Sequence, residues 1–114
     1  MIEKRDLELV SWTLDDGEQL HREAPSTFWM PPAERRHALM HGDIVKLIFR
    51  MNVRDRTSGD ETVEVERMWV VVDGGDGDRY RGALDNDPYC TRDLVNGAVV
   101  EFEPRHVIQI YDAV

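Results

Sequence analysis

Lysine is almost missing from this chain: Lys4 and Lys46 are the only two, against twelve arginines. Arginine's planar fork suits bidentate pairing with carboxylates, but codon usage produces the same skew and is the preferred explanation. Cysteine is rarer still. Cys90 stands alone, which excludes an internal disulfide framework and a multi-cysteine metal site. Long apolar runs are absent too: the longest, Met68 to Val72, falls far short of the roughly 20 residues that a membrane-spanning helix needs. The opening Met1-Ile2-Glu3-Lys4-Arg5-Asp6 is charged and leads into no signal-peptide apolar region, so a soluble cytoplasmic protein is expected. Positive charge is in short supply overall. Twenty-three acids face fourteen bases, a net charge of −9, which argues against a nucleic-acid binder, because neutralising phosphates needs cationic surface.

What is present describes one globular domain over residues 1–114. A chain of 114 residues with 41% apolar content can bury one real core. Its periodicity reads mainly as strands. In Asp43 to Met51, the residues Val45, Leu47, Phe49 and Met51 share one face and Lys46 and Arg50 the other, as a half-buried strand requires. Thr62 to Val72 starts with Val63 and Val65 alternating against Glu64 and Glu66, then turns apolar on both faces from Met68. Arg79 to Leu84 sets Tyr80, Gly82 and Leu84 against two arginines, and Ala98 to Glu103 sets Val100 and Phe102 against Glu101 and Glu103. Val107 to Tyr111 is a short closing strand after Pro104. An earlier strand, Leu7 to Leu14, changes phase between Leu9 and Val10, which predicts a bulge or bend.

One short helix is expected near residues 32–41. Pro31-Pro32 lie at its start, Ala33 to Met40 are good helix formers and Gly42 stops it. Leu39 and Met40 then face the core, with Glu34, Arg35 and Arg36 outside. The stretch from Asp15-Asp16-Gly17 through Ala24-Pro25-Ser26 reads as irregular, and Phe28-Trp29-Met30 as extended because proline follows. Asp73 to Asp78, rich in glycine and aspartate, is a hairpin loop rather than a calcium site, since no register supplies an EF-hand's ligands. These glycines lack the following lysine of a phosphate loop. Five short strands from residue 43 onward point to a mainly β (α+β) fold, a small SH3-like, partly open barrel; an open sheet with a helix on one face is the alternative.

Few constellations here carry chemistry. Glu34, His37 and His41 fall at i, i+3 and i+7 of the expected helix and have zinc-ligand chemistry, but a solvated helix face is the simpler reading and no metal or other cofactor is expected. Cys90 with His106, oriented by Asp85 or Asp87, is the only thiol–imidazole pairing to consider, and no nucleophile motif surrounds it. Arg50, Arg54, Arg56, Arg79 and Arg81 alternate with acids in a way that reads as a salt-bridged face. Six aromatics, Trp12, Phe28, Trp29, Trp69, Tyr80 and Tyr89, exceed what so small a core needs; Trp12 and Trp69 are expected inside it, and others could line a cleft.

The second half, through Glu66 to Val72, Tyr80 to Pro88 with its Gly-x-Leu-x-Asn-x-Pro element, Leu94, Gly97, Val100 to Phe102 and Arg105 to Ile108, resembles the YegJ-like bacterial domains of unknown function. The resemblance implies a compact β-rich domain with no established catalytic residues; a looser likeness extends to immunity proteins of bacterial toxin systems. Asn86 suits loop geometry by itself, and a rigid loop presenting Asn86, Asp87 and Tyr89 to a partner is the functional alternative. The leading expectation is a non-enzymatic module that binds a protein with a basic surface, through Trp29, Tyr80, Asn86, Asp87 and Tyr89, without nucleic acid or membrane. A small metal or thiol enzyme, and a small-ligand binder with an aromatic cleft, are the alternatives.

Overall fold

The computed structural model describes residues 5–112. Five strands run as an antiparallel meander in sequence order: β1 (Glu8–Leu14), β2 (Ile44–Arg54), β3 (Glu61–Gly75), β4 (Tyr80–Leu84) and β5 (Val99–Phe102). A single 3-10 turn, Pro104–His106, then carries the chain back so that β6 (Gln109–Ile110) pairs with Val45 and Lys46 of β2. The sheet thus curls on itself into a small SH3-like, partly open barrel. The long β2–β3 hairpin helps stretch the molecule to 46 × 30 × 27 Å.

Val45, Leu47, Phe49, Met51 and Val53 of β2 are fully buried in the curl and meet Met68, Val70 and Val72 of β3, Leu84 of β4 and Val100 and Phe102 of β5. The expected bulge in β1 is present as a register shift between Leu9 and Ser11. A second shift falls between Val72 and Gly74 of β3. Gly82 lets β3 come close there: a Cβ at this position would strike the Val71 carbonyl and the Val70 side chain.

The alternation at the start of β3 leaves its inward face open, and the structure fills it: Glu64 and Glu66 pair with Met51 and Phe49 and so turn into the curl, while Val63 and Val65 face solvent. Both carboxylates have work there. Glu66 accepts hydrogen bonds from the Tyr89 and Cys90 amides, and Glu64 pairs with Arg5. Four expectations need correction. The stretch after Asp15 is not irregular but holds α1 (Gly17–Glu23), whose N-cap Asp16 accepts from the Gln19 amide at 3.1 Å. The expected helix shrinks to a single turn, α2 (Ala33–Arg36). Met40 is consequently exposed while Arg36 is buried, the opposite of the amphipathic reading.

Arg36 explains its own burial. Nε donates to the Pro31 carbonyl at 2.9 Å, and one terminal nitrogen donates to the Pro104 carbonyl at 2.9 Å and to Glu18 at 2.7 Å. One guanidinium therefore ties α1, α2 and the 3-10 turn together over one end of the barrel.

Candidate binding surface

Trp69 is the fourth correction, and it leads to the surface. Period-two geometry places Arg67 and Trp69 on the convex face of β3, opposite Met68 and Val70, and Lys46 lies beside Trp69 in the β2–β3 register. Trp69 is half-buried rather than a core residue. The Lys46 ammonium sits 4.4 Å from the centre of its ring, and Tyr111 meets the ring edge-on at 6.0 Å and 85°. Two residues along the strand, the Arg67 guanidinium lies 5.6 Å from the centre of the Phe28 ring. Trp29, 68% exposed, stands next to it, and with Thr27, Phe28, Arg67, Ile108 and Gln109 it borders a shallow groove of about 380 Å³. The segment after α1 thus lays its aromatics across the outside of the sheet.

The cations on this face are held differently from most of the others. Arg5, Arg35, Arg36, Arg50, Arg54, Arg56, Arg81 and Arg105 all pair with carboxylates. Arg50, for example, grips Asp15 through two nitrogens at 2.8 and 2.9 Å. Lys46 and Arg67 form no ion pair among the described residues; each has an aromatic ring instead. A cation over a ring keeps much of its capacity to receive an anion from the other side.

The other sequence-derived residues lie elsewhere. Tyr80 is 4% exposed, stacks on Phe102 at 5.5 Å and accepts a hydrogen bond from the Leu39 amide through its hydroxyl, so its side chain is committed to the core. Asn86 Oδ1 accepts from the Trp69 amide at 2.6 Å, and Asp87 accepts from the Asn96 amide at 3.1 Å, so both shape the loop that follows β4. Tyr89 is exposed, but it hangs from Glu66 on the concave side, with the sheet between it and Trp29. Trp29 is therefore the one residue of the five that belongs to the convex face.

The alternatives built on chemistry find no geometry. Because α2 stops at Arg36, Glu34, His37 and His41 do not share a helix face, and the described residues contain no cluster of three metal-ligating groups. His37 Nδ1 instead donates to the Gly77 carbonyl at 2.9 Å. Cys90 is buried, its Sγ 3.8 Å from Met51 Sδ. Burial, followed by the Glu66 carboxylate, pushes its thiol up to about 12, so it holds its proton at neutral pH. No hydrogen bond links it to His106, whose ring is turned to the Glu103 amide. In the Asp73–Asp78 loop, Asp76 accepts from the Asp78 and Arg79 amides, which is turn chemistry.

A sharper sequence reading would have found part of this surface. Lys46 and Trp69 lie at defined parities of two recognised strands, but Phe28 and Trp29 come from a segment with no periodicity. No family model, curated protein or solved structure matches the chain.

Proposed function

We propose that this chain is a cytoplasmic, non-enzymatic module that binds another protein through the convex face of Phe28, Trp29, Arg67, Lys46 and Trp69. The observation that carries the reading is the pair of cations seated on aromatic rings without carboxylates, whereas eight of the other eleven arginines pair with acids. Exposed tryptophan and arginine are the side chains that supply most binding energy at protein interfaces. The occupant is a protein of net positive charge, because −9 attracts such a partner over the roughly 8–10 Å that physiological salt allows. At the contact it places a carboxylate against Arg67. A basic toxin held by an acidic immunity protein has this chemistry.

Affinity capture from a lysate of the source organism, with the parent and the variants Trp29→Ala and Arg67→Glu side by side, tests the reading. The expected result is a protein retained by the parent at low salt, released at high salt, and lost from both variants. An identical set of captured proteins for all three, or none for the parent, overturns it.

A further inference from the structure

A cavity of about 510 Å³ lies away from the convex aromatic face, where the β3–β4 hairpin, β5 and the 3-10 turn meet. Its wall on the hairpin side is thin because Gly74 and Gly75 carry no side chains. Gly75 has φ +150°, and a Cβ on it would strike the Tyr80 ring, so this position is built for glycine. Tyr80 and Phe102, stacked on each other in the core, also border the cavity.

His106 is the informative group. It is only 7% exposed and borders the cavity. The Glu103 amide donates to its Nδ1 at 2.9 Å, and a nitrogen that accepts a hydrogen bond carries no proton. The proton of the neutral ring therefore sits on Nε2. Burial, and then the neighbouring Arg105 cation, hold the ring's pKa below the ordinary histidine value, which keeps this tautomer at neutral pH. Nε2 makes no hydrogen bond within the described residues, although no fully enclosed side-chain nitrogen or oxygen among them lacks a partner. The Nε2–H is thus a buried ring's open donor, and His106 is one of the residues that line the cavity.

Four ionised side chains line the cavity, and two are already engaged. Arg81 pairs with Asp73 at 3.2 Å, and Glu103 pairs with Arg105 at 3.2 Å. Arg79 and Glu101 make no contact ion pair among the described residues, although the charge of Arg79 acts on Glu103 and Asp76, and Glu101 stands opposite Arg81 in the β4–β5 register. The cavity therefore offers a cation and a carboxylate without contact ion pairs, beside a histidine whose neutral N–H has no acceptor among the described residues. A simple anion would meet Glu101 and Glu103, and a simple cation would meet Arg79 and Arg81.

We propose that this cavity binds a small zwitterion of the α-amino acid class, with the ligand carboxylate on Arg79 and the His106 Nε2–H and its ammonium group on Glu101. The site is separate from the convex face, so the failure of either reading leaves the other standing. It also gives the hairpin glycines a purpose, because Gly74 has nothing within 4 Å of where a side chain would begin. A bulky residue there fits the backbone and fills the cavity mouth beside Arg81, its partner in the β3–β4 register.

Thermal-shift and calorimetric titrations with each free L-amino acid test the proposal, with potassium acetate and ethylammonium chloride as single-charge controls at matched ionic strength. At least one amino acid is expected to raise the melting temperature saturably while neither control does. Arg79→Ala and Glu101→Ala, both exposed positions, should each weaken binding about tenfold or more, the usual loss for a charged hydrogen bond. Gly74→Phe should abolish binding with the melting temperature of the free protein unchanged. No response to any amino acid overturns the proposal. So does an equal response to acetate alone, or binding that survives all three substitutions.

Discussion

Replacing Arg36 with methionine removes a guanidinium while keeping most of the aliphatic stem that packs beneath α2. The structure fixes what is lost. The Pro31 and Pro104 carbonyls each lose a 2.9 Å hydrogen bond, and both belong to buried residues. Leaving a buried polar group without its partner costs about 1–3 kcal/mol, and a carbonyl, with two lone pairs and easier access to water, falls at the lower end. Glu18 also loses its partner, but its side chain is 36% exposed, so water recovers most of that term. The sum is about 2–4 kcal/mol, a large share of the roughly 5–15 kcal/mol that holds a domain of this size. Urea unfolding followed by tryptophan fluorescence should show the midpoint falling with an unchanged slope. Glu18→Gln serves as the internal control: its amide oxygen still accepts from Arg36, and it should cost about 0–1 kcal/mol. If Arg36→Met lies within about 0.5 kcal/mol of the parent, the guanidinium is not what fastens α1, α2 and the 3-10 turn together, and the account of its burial fails.

Three further outcomes follow from the same geometry. Cys90 should resist a thiol reagent in the native protein and react at once in denaturant. Because its folded pKa of about 12 lies above the 9.0 of an unfolded thiol, it should withdraw stability as pH rises through that interval. A native thiol that labels fast near neutral pH contradicts its burial. On the acid side, Asp55 and Asp76 are held below the usual carboxylate range by backbone amides, those of Ser58 and Thr57 for the first and of Asp78 and Arg79 for the second. Their contribution should be complete above about pH 4 and lost as pH falls through the lowered folded values, so Asp76→Asn should flatten the acid limb of a urea-midpoint profile. Asn86→Ala should cost about 1–2 kcal/mol by stripping the acceptor from the half-buried Trp69 amide, whereas Asn86→Asp should keep that bond. Faster hydrogen exchange at the Trp69 amide in the alanine variant alone is the expected signature.

The strands were legible because alternation is a local property. Val45, Leu47, Phe49 and Met51 can share a face only in an extended chain, and the phase change at Leu9 marked a bulge or bend, which the structure resolves as a bulge. The N-cap of α1 was also there to be read, since Asp16 followed three residues later by Gln19 is a helix-start pattern; Gly17 disguised it as a turn. The convex face was not legible in the same way. Phe28 reaches Arg67 across nearly forty residues of sequence, and no spacing rule connects an aperiodic segment to a strand it crosses.

By itself, then, the sequence determined the β character, the turns, the acid excess and the isolation of Cys90, all of which depend on neighbouring residues or on composition. Tertiary structure decided the sign of what periodicity leaves open. Period two requires Glu64 and Val65 to point opposite ways but does not say which points inward. The Tyr89 and Cys90 amides and Arg5 chose the glutamates. Helix propensity marked Arg36 as exposed, and a carbonyl 68 residues away in the 3-10 turn drew it inside. Hydrogen bonding to distant backbone outweighed local amphipathicity in both places, because a buried amide or carbonyl must find a partner wherever the fold can supply one.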